Sequence, residues 1–400
     1  MSLNEISNTN LPKSVRLSDN GDIKLLVHGQ GVYLFANPSP IAPVTFYIHN
    51  NNKTDGIVVN FTTTGITSKR YSTGEYYIDP NNTKGLMNTS GIFYWYSLDS
   101  QNTRLIAGFG EARMETKEYE YKLPAESRSF LESLTSISIS SNISSLRLLR
   151  DPITANVSLF VKDRDTLTMN DVAKNKYVPV ANMNSVCQQL YNCVSGPNFV
   201  LNTPDFPNFT EAIEYSINTP GLWCYRKLKE KATEFDPNHP DPSETYLRIT
   251  MGQNNGESPG IPYVMEIWPV GHYSPVHNHS SANAIIRVLS GEIHVDLYPF
   301  LGPGAVPFGS QSFKENDVTW ITSNLNQVHR LKNLDKNTKA CITIQCYMYS
   351  KDDVVHYDYF DYLDSKGTIQ HYNPDSDKEF MDFKRQMQLE WNSRHIPSRL

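Results

Sequence analysis

The sequence predicts a mainly β protein in two parts: an N-terminal β-sandwich-like domain, then a small β-barrel or jelly roll with a few helices. Three observations carry that expectation. The chain has 400 residues, long for a single core, so two domains are the working assumption. Residues 23 to 122 hold short apolar runs separated by Asn, Gly, Asp and Pro. Beyond Pro242 the alternation of apolar and polar residues returns, after a stretch with helical signals.

In the first part the runs are Lys24-Leu-Leu-Val-His, Val32-Tyr-Leu-Phe, Thr45-Phe-Tyr-Ile-His, Gly56-Ile-Val-Val-Asn-Phe and Gly91-Ile-Phe-Tyr-Trp-Tyr. Each is short enough to be a strand, and turn residues follow each. His28 and His49 are isolated and read as structural; Tyr94, Trp95 and Tyr96 read as core and sheet packing. The expected domains are therefore a β-rich module over 1–122, lectin-like or otherwise ligand-binding, a connector over 123–180 and a second domain over 181–400. The connector includes the Ser-rich run Ser136-Ile-Ser-Ile-Ser-Ser-Asn-Ile-Ser-Ser.

Helical signals follow. Ser185-Val-Cys-Gln188 has the form of a capping box and precedes apolar Val186, Leu190 and Cys193. A second box, Asn208-Phe-Thr-Glu211, precedes Ala212, Ile213 and Ile217, and a third helical segment spans 222–232 after Pro220-Gly221. A last helix is expected near 378–391, with Phe380, Phe383 and Met387 close to one face.

Charge and cysteine usage narrow the function classes. Lys and Arg number 36 against 42 Asp and Glu, a net charge of −6, with no basic run to neutralise phosphates or an anionic membrane. No apolar run approaches the roughly 20 residues a bilayer span needs, and the first twenty residues lack the apolar stretch of a secretory signal. Five cysteines, an odd number without a C-x-x-C pair, suit reduced thiols. A cytoplasmic monomer, without nucleic-acid or membrane partners, is the expectation.

The chemistry concentrates in Gly271-His-Tyr-Ser-Pro-Val-His277-Asn-His279 and the following strand to Gly291. Two histidines two residues apart on an extended strand lie on one face, their α-carbons about 6.6 Å apart, close enough to share a metal. Ser290-Gly291 reads as a tight turn into Glu292–Tyr298, where Ile293, Val295 and Leu297 alternate with polar residues. His329, in Gln327-Val-His-Arg-Leu-Lys-Asn333, is the natural third ligand, from a later strand of the same barrel. Three neutral imidazoles suit a borderline divalent ion and leave positions open for other ligands.

The pattern G-x5-H-x-H, with a glycine twelve residues beyond the second histidine and a later H-x3-N, resembles the two motifs of the cupin superfamily. Residues from about 205 to 360 are most similar to the cysteine dioxygenase (thiol dioxygenase) family, which carries a Tyr-x-Arg upstream of the metal motif, as Tyr246-Leu-Arg248 stands here. The resemblance implies a cupin barrel holding Fe(II) through His277, His279 and His329. It implies Arg248 as the binder of a substrate carboxylate, supported by Tyr246, because a guanidinium grips a carboxylate with two prongs. The strand Cys341 to Tyr349 would present Thr343, Gln345 and Tyr347 on one face, where the family carries Ser-x-His-x-Tyr. Two departures follow. Gln345 replaces a histidine and cannot titrate near neutral pH. Ala284 stands where animal members carry the cysteine cross-linked to the tyrosine, so no thioether forms, and Cys346 points away from Tyr347.

The expected activity is thus oxidation of a small carboxylate-bearing thiol, cysteine or similar, to its sulfinate with O2. The alternative is a metal- or ligand-binding cupin without turnover, fused to a recognition module. The acidic aromatic run over 352–364 is expected as a C-terminal extension over the barrel mouth.

Overall fold

The computed structural model describes residues 13–16, 22–88, 92–140, 143, 145–251, 263–280, 282–348 and 360–394. The chain divides into two compact units, Met1–Val157 and Ser158–Leu400.

The first unit is a β-sandwich of two six-stranded antiparallel sheets. One runs in the order Lys13–Arg16, Ser145–Leu149, Gln30–Ala36, Phe93–Asp99, Arg104–Phe109, Lys117–Lys122. The other runs Ile23–Lys24, Ser136–Ile139, Val44–His49, Gly56–Phe61, Ile66–Arg70, Tyr76–Ile78. Aromatic residues join them. Phe35 of the first sheet meets Phe46 and Phe61 of the second edge-on, with ring centroids 5.3 and 4.9 Å apart. Each such fully buried ring contributes about 2 kcal/mol of apolar transfer free energy. Tyr94, Trp95 and Tyr96 are wholly buried in this unit. The His49 ring is held by Asn50 O and Ser138 Oγ at 2.7 and 2.9 Å, a structural role.

This division differs from the connector expected over 123–180. Ser136–Ile139 pairs with Val44–His49, and Ser145–Leu149 pairs with Gln30–Ala36, so both complete the sandwich sheets. The physical reason lies in the sequence: Ser-Ile-Ser-Ile alternates with the strand period, and Ile137 is completely buried. Residues from Ser158 onward belong to the second unit, where the Phe160 ring lies 4.7 Å from that of Phe313.

In the second unit we number strands and longer helices separately. Three helices come first: α1 (Ser185–Val194), α2 (Phe209–Asn218) and α3 (Trp223–Glu230). Asn184, not Ser185, caps α1, accepting the Cys187 N–H at 2.8 Å, while Gln188 donates to Met183 O. The box expected at Ser185–Gln188 therefore does not form, because the helix starts one residue earlier than that box requires. Asn208 occupies the N-cap position of α2 without a side-chain cap bond.

Twelve strands follow: β1 (Leu247–Met251), β2 (Tyr263–Trp268), β3 (Val276–His277), β4 (Asn283–Ser290), β5 (Glu292–Leu297), β6 (Gly309–Lys314), β7 (Val318–Ile321), β8 (His329–Lys332), β9 (Cys341–Met348), β10 (Phe360–Leu363), β11 (Ile369–Tyr372) and β12 (Lys378–Glu379). They form two sheets, β7-β4-β9-β2-β1-β12 and β6-β5-β8-β3-β10-β11, antiparallel except for the short β1–β12 pair. Trp268 and Val288 from the first sheet pack with Ile293, Val295 and Leu331 from the second. This double-sheet barrel is the cupin architecture. Helix α4 (Phe380–Ser393) closes the chain, its buried Phe383 and Met387 facing Phe209 of α2 and Cys224 of α3.

The run over 352–364 lies outside the described residues up to 359. Phe360–Leu363 is a full strand: Leu363 pairs with Val276 and Tyr362 with His277. It belongs to the barrel wall instead of extending over it.

Candidate metal centre

The three histidines converge, each from a different local setting. His277 and His329 are direct register partners across β3 and β8, which sets their rings 4.7 Å apart. His279 lies past the end of β3, so strand period alone does not aim it. A turn does: the Ala282 N–H donates to His279 O, and the His279 N–H donates to Gln327 Oε1 at 3.2 Å. Gln327 then spends its amide hydrogens on Ala282 O and Thr322 O, at 2.8 and 2.7 Å. One glutamine thereby ties the His279 turn to the segment that delivers His329. The ligand atoms of the triad all lie within 4.8 Å of one another.

The protonation pattern suits a cation. His277 Nδ1 meets Pro275 O at 3.0 Å and His329 Nδ1 meets Asn326 O at 2.9 Å. A carbonyl only accepts, so these nitrogens carry the hydrogens and each Nε2 presents a lone pair. The carbonyl of Asn326 is aimed by a left-handed backbone (φ 63°), which asparagine tolerates better than most residues. The Nε2 atoms of His279 and His329 stand 3.2 Å apart. Burial pushes His277 down to about 3 and His329 to about 4, and holds His279 well below its ordinary value, with the neighbouring imidazoles adding to the effect on His277 and His279. Three imidazoles that stay neutral, with ligand nitrogens converging, fit a divalent transition metal.

The triad opens into a cavity inside the barrel, lined also by Arg248, Glu266, Gln345 and Tyr347. Arg248, Glu266 and Thr343 are register partners across β1, β2 and β9, so their side chains share the interior face. Arg248 Nη1 donates to Glu266 Oε1 at 2.7 Å, and both side chains are 6% exposed. Burial opposes the Arg248 charge, yet Glu266 beside it holds the guanidinium above its usual pKa. Burial raises the Glu266 carboxyl, against the pull of Arg248 and a hydrogen bond from Gln345. The Tyr347 hydroxyl donates to Gln345 Oε1. A continuous polar chain thus runs Tyr347, Gln345, Glu266, Arg248.

Set against the sequence-based expectations, the arrangement differs at several residues. Arg248, expected to bind a substrate carboxylate, already has a carboxylate of this chain as its partner. Tyr246, expected to support Arg248, stacks its ring on Trp268 at 4.1 Å, and both line the cavity. Thr343 is buried beside Glu266 with a hydroxyl that finds no partner among the described residues, and it does not line the cavity. Ala284 is the register partner of Tyr347. Cys346 faces the other way, its Sγ 3.4 Å from Leu190 O of α1. All five cysteines are unpaired.

Three contributors were not singled out from sequence. Glu266 sits in Tyr-Val-Met-Glu-Ile-Trp, a run buried on both faces, where a charged residue is itself a signal that a partner exists. Gln327 offers no such signal. Phe360 packs its ring 4.6 Å from His279. Asn333, the end of the H-x3-N motif, is structural: it donates to Trp268 O and Lys339 O at 2.8 and 3.0 Å.

No family model matches the chain. Among curated proteins it is similar to cysteine dioxygenase type 1 of Danio rerio, 24% identical over 106 residues, which are 26% of this chain and 50% of that protein. The chain therefore spans about half the length of this curated relative. Solved structures similar to it include the cupin domain of Schizosaccharomyces pombe Cnp3, with TM-score 0.21, 14% identity, and coverage of 26% of this chain and 65% of that one. The cupin domain of an XRE-family transcriptional regulator from Enterobacter cloacae gives TM-score 0.21 and 11% identity, over 26% of this chain and 98% of that one. An L-ribose isomerase from Acinetobacter gives 0.20 and 14%, over 23% and 49%.

Proposed function

We propose that the second unit is an iron-dependent dioxygenase of a small thiol, cysteine or a close relative, converting it to the sulfinate. The observation that carries this reading is the convergence of His277, His279 and His329, all neutral, on a cavity that also presents a tyrosine hydroxyl and a guanidinium. The likeness to a cysteine dioxygenase supports the thiol and the metal. The reaction balances without a further reductant: RSH and O2 give RSO2H, with both oxygen atoms in the product and sulfur as the electron donor. Iron(II), when bound, supplies the place where thiolate and O2 meet and lowers the thiol's pKa.

The chain's own residues do the rest. His277 and His329 hold their Nδ1 hydrogens on backbone carbonyls and keep Nε2 free for the metal. Tyr347 holds a proton at its hydroxyl oxygen, and Gln345 fixes that hydroxyl's direction without exchanging a proton itself. Arg248 orients the substrate's carboxylate. Trp268, Tyr246 and Phe360 surround the site with aromatic rings that exclude water.

The test is metal analysis followed by oxygen consumption of the Fe(II)-loaded protein with cysteine, cysteamine and 3-mercaptopropionate, with product read by mass spectrometry. A product two oxygen atoms heavier than the thiol is expected. Bound iron without oxygen uptake on any thiol overturns the reading and leaves a metal- and ligand-binding cupin without turnover.

A further inference from the structure

Arg248 enters the cavity as half of a neutral pair. Glu266 lies opposite it on the adjacent strand, their side chains 2.7 Å apart, both buried and both lining the cavity that holds the three histidines. The contact has one prong: Arg248 Nη1 bonds Glu266 Oε1, and Arg248 Nε has no partner among the described residues. Glu266 in turn accepts from Gln345, and an ionised carboxylate offers about four lone-pair sites, so it has acceptor capacity to spare.

Such a pair treats substrate charges unequally. A ligand whose only charge besides the thiolate is a carboxylate meets Arg248 and Glu266 together, and attraction and repulsion largely cancel while the ligand loses its water. A ligand that also brings an ammonium gives Glu266 a second cation and leaves Arg248 for the carboxylate. In this low-dielectric setting the difference is larger than on a surface.

We infer that Glu266 is a specificity-determining residue of the site, binding the ammonium group of an amino-bearing thiol and excluding thiols that carry a carboxylate alone. This rests on the reading of the cavity as a thiol site. Glu266, not the metal, then receives the nitrogen.

Cysteine and 3-mercaptopropionate differ only by the amino group, and they form the natural pair of probes. Full-length protein loaded with Co(II), which reports thiolate binding through its charge-transfer absorption, is titrated anaerobically with each, so no turnover is needed. The wild type is expected to bind cysteine at least about tenfold more tightly than 3-mercaptopropionate, and E266Q to abolish or reverse that ratio. Because E266Q leaves Arg248 charged and buried without its partner, the double variant R248M/E266L serves as a second, fold-compatible test. Its ratio should also fall to near one. Equal or tighter binding of 3-mercaptopropionate by the wild type overturns the role of Glu266. So does a ratio unchanged in either variant, which would put the amine on the metal. Failure of both thiols to perturb the cobalt spectrum is a different result: it removes the thiol reading itself.

Discussion

His277, His279 and His329 show how much of a site single residues carry into a sequence. Their types and spacing are visible because a metal needs a few strong donors, and imidazole is recognisable wherever it stands. Gln327 is invisible by the same measure: glutamine is common, and its role rests on hydrogen bonds to the backbone of His279, Ala282 and Thr322. It acts as a positioning residue for His279. Gln327→Ala is expected to lower metal affinity about 10- to 100-fold, the usual effect of losing a partner that orients a ligand. Competition against a chelator of known affinity measures it, and an unchanged affinity would show that the His279 turn holds its shape unaided. Glu266 is intermediate. A charge inside the buried run Tyr-Val-Met-Glu-Ile-Trp announces a partner, but only the register of β1 against β2 says that the partner is Arg248.

At the scale of elements, alternation located strands and serine-rich composition misled. The Ile293, Val295 and Leu297 pattern gives β5 correctly, with all three buried. Ser136-Ile-Ser-Ile has the same pattern, yet its serine-rich composition suggests a connector, while pairing makes it a sandwich strand. Strand β3 spans two residues, so the two-residue period that aligns histidines on a strand ends at His277. The turn at Ser290-Gly291 was legible for a backbone reason. Gly291 has φ +81°, and a Cβ there would stand 2.6 Å from Ala340 O and 2.9 Å from Cys341 Cα. Gly291→Ala, at the corner between β4 of one sheet and β5 of the other, is expected to cost about 1–3 kcal/mol. That corresponds to a melting temperature lower by roughly 3–10 °C in a unit of this size. Thermal denaturation checks it, and a variant melting with the wild type would mean that the β9 entry yields without cost.

For the whole molecule, every residue of the candidate site from Tyr246 to Tyr372 lies in the unit Ser158–Leu400, which has its own core. A chain of residues 158–400 is therefore expected to bind one metal ion with the affinity of the full chain. Residues 1–157, in which the described residues form no metal-ligand cluster, should bind none tightly. Metal analysis of both pieces after dialysis decides it; loss of binding in the 158–400 piece would make the sandwich part of the site. Among the described residues no helix is long and apolar enough to cross a membrane. By itself the sequence determined the β class, the aromatic sandwich core and the identity of the three converging histidines, because these depend on local period and on residue chemistry. The tertiary structure alone decided where the units divide, which turn aims His279, and that Arg248 is already matched by Glu266. Those outcomes depend on which strands lie side by side, and a neighbour's charge 2.7 Å away across a sheet leaves no mark on residues 18 positions apart in the chain.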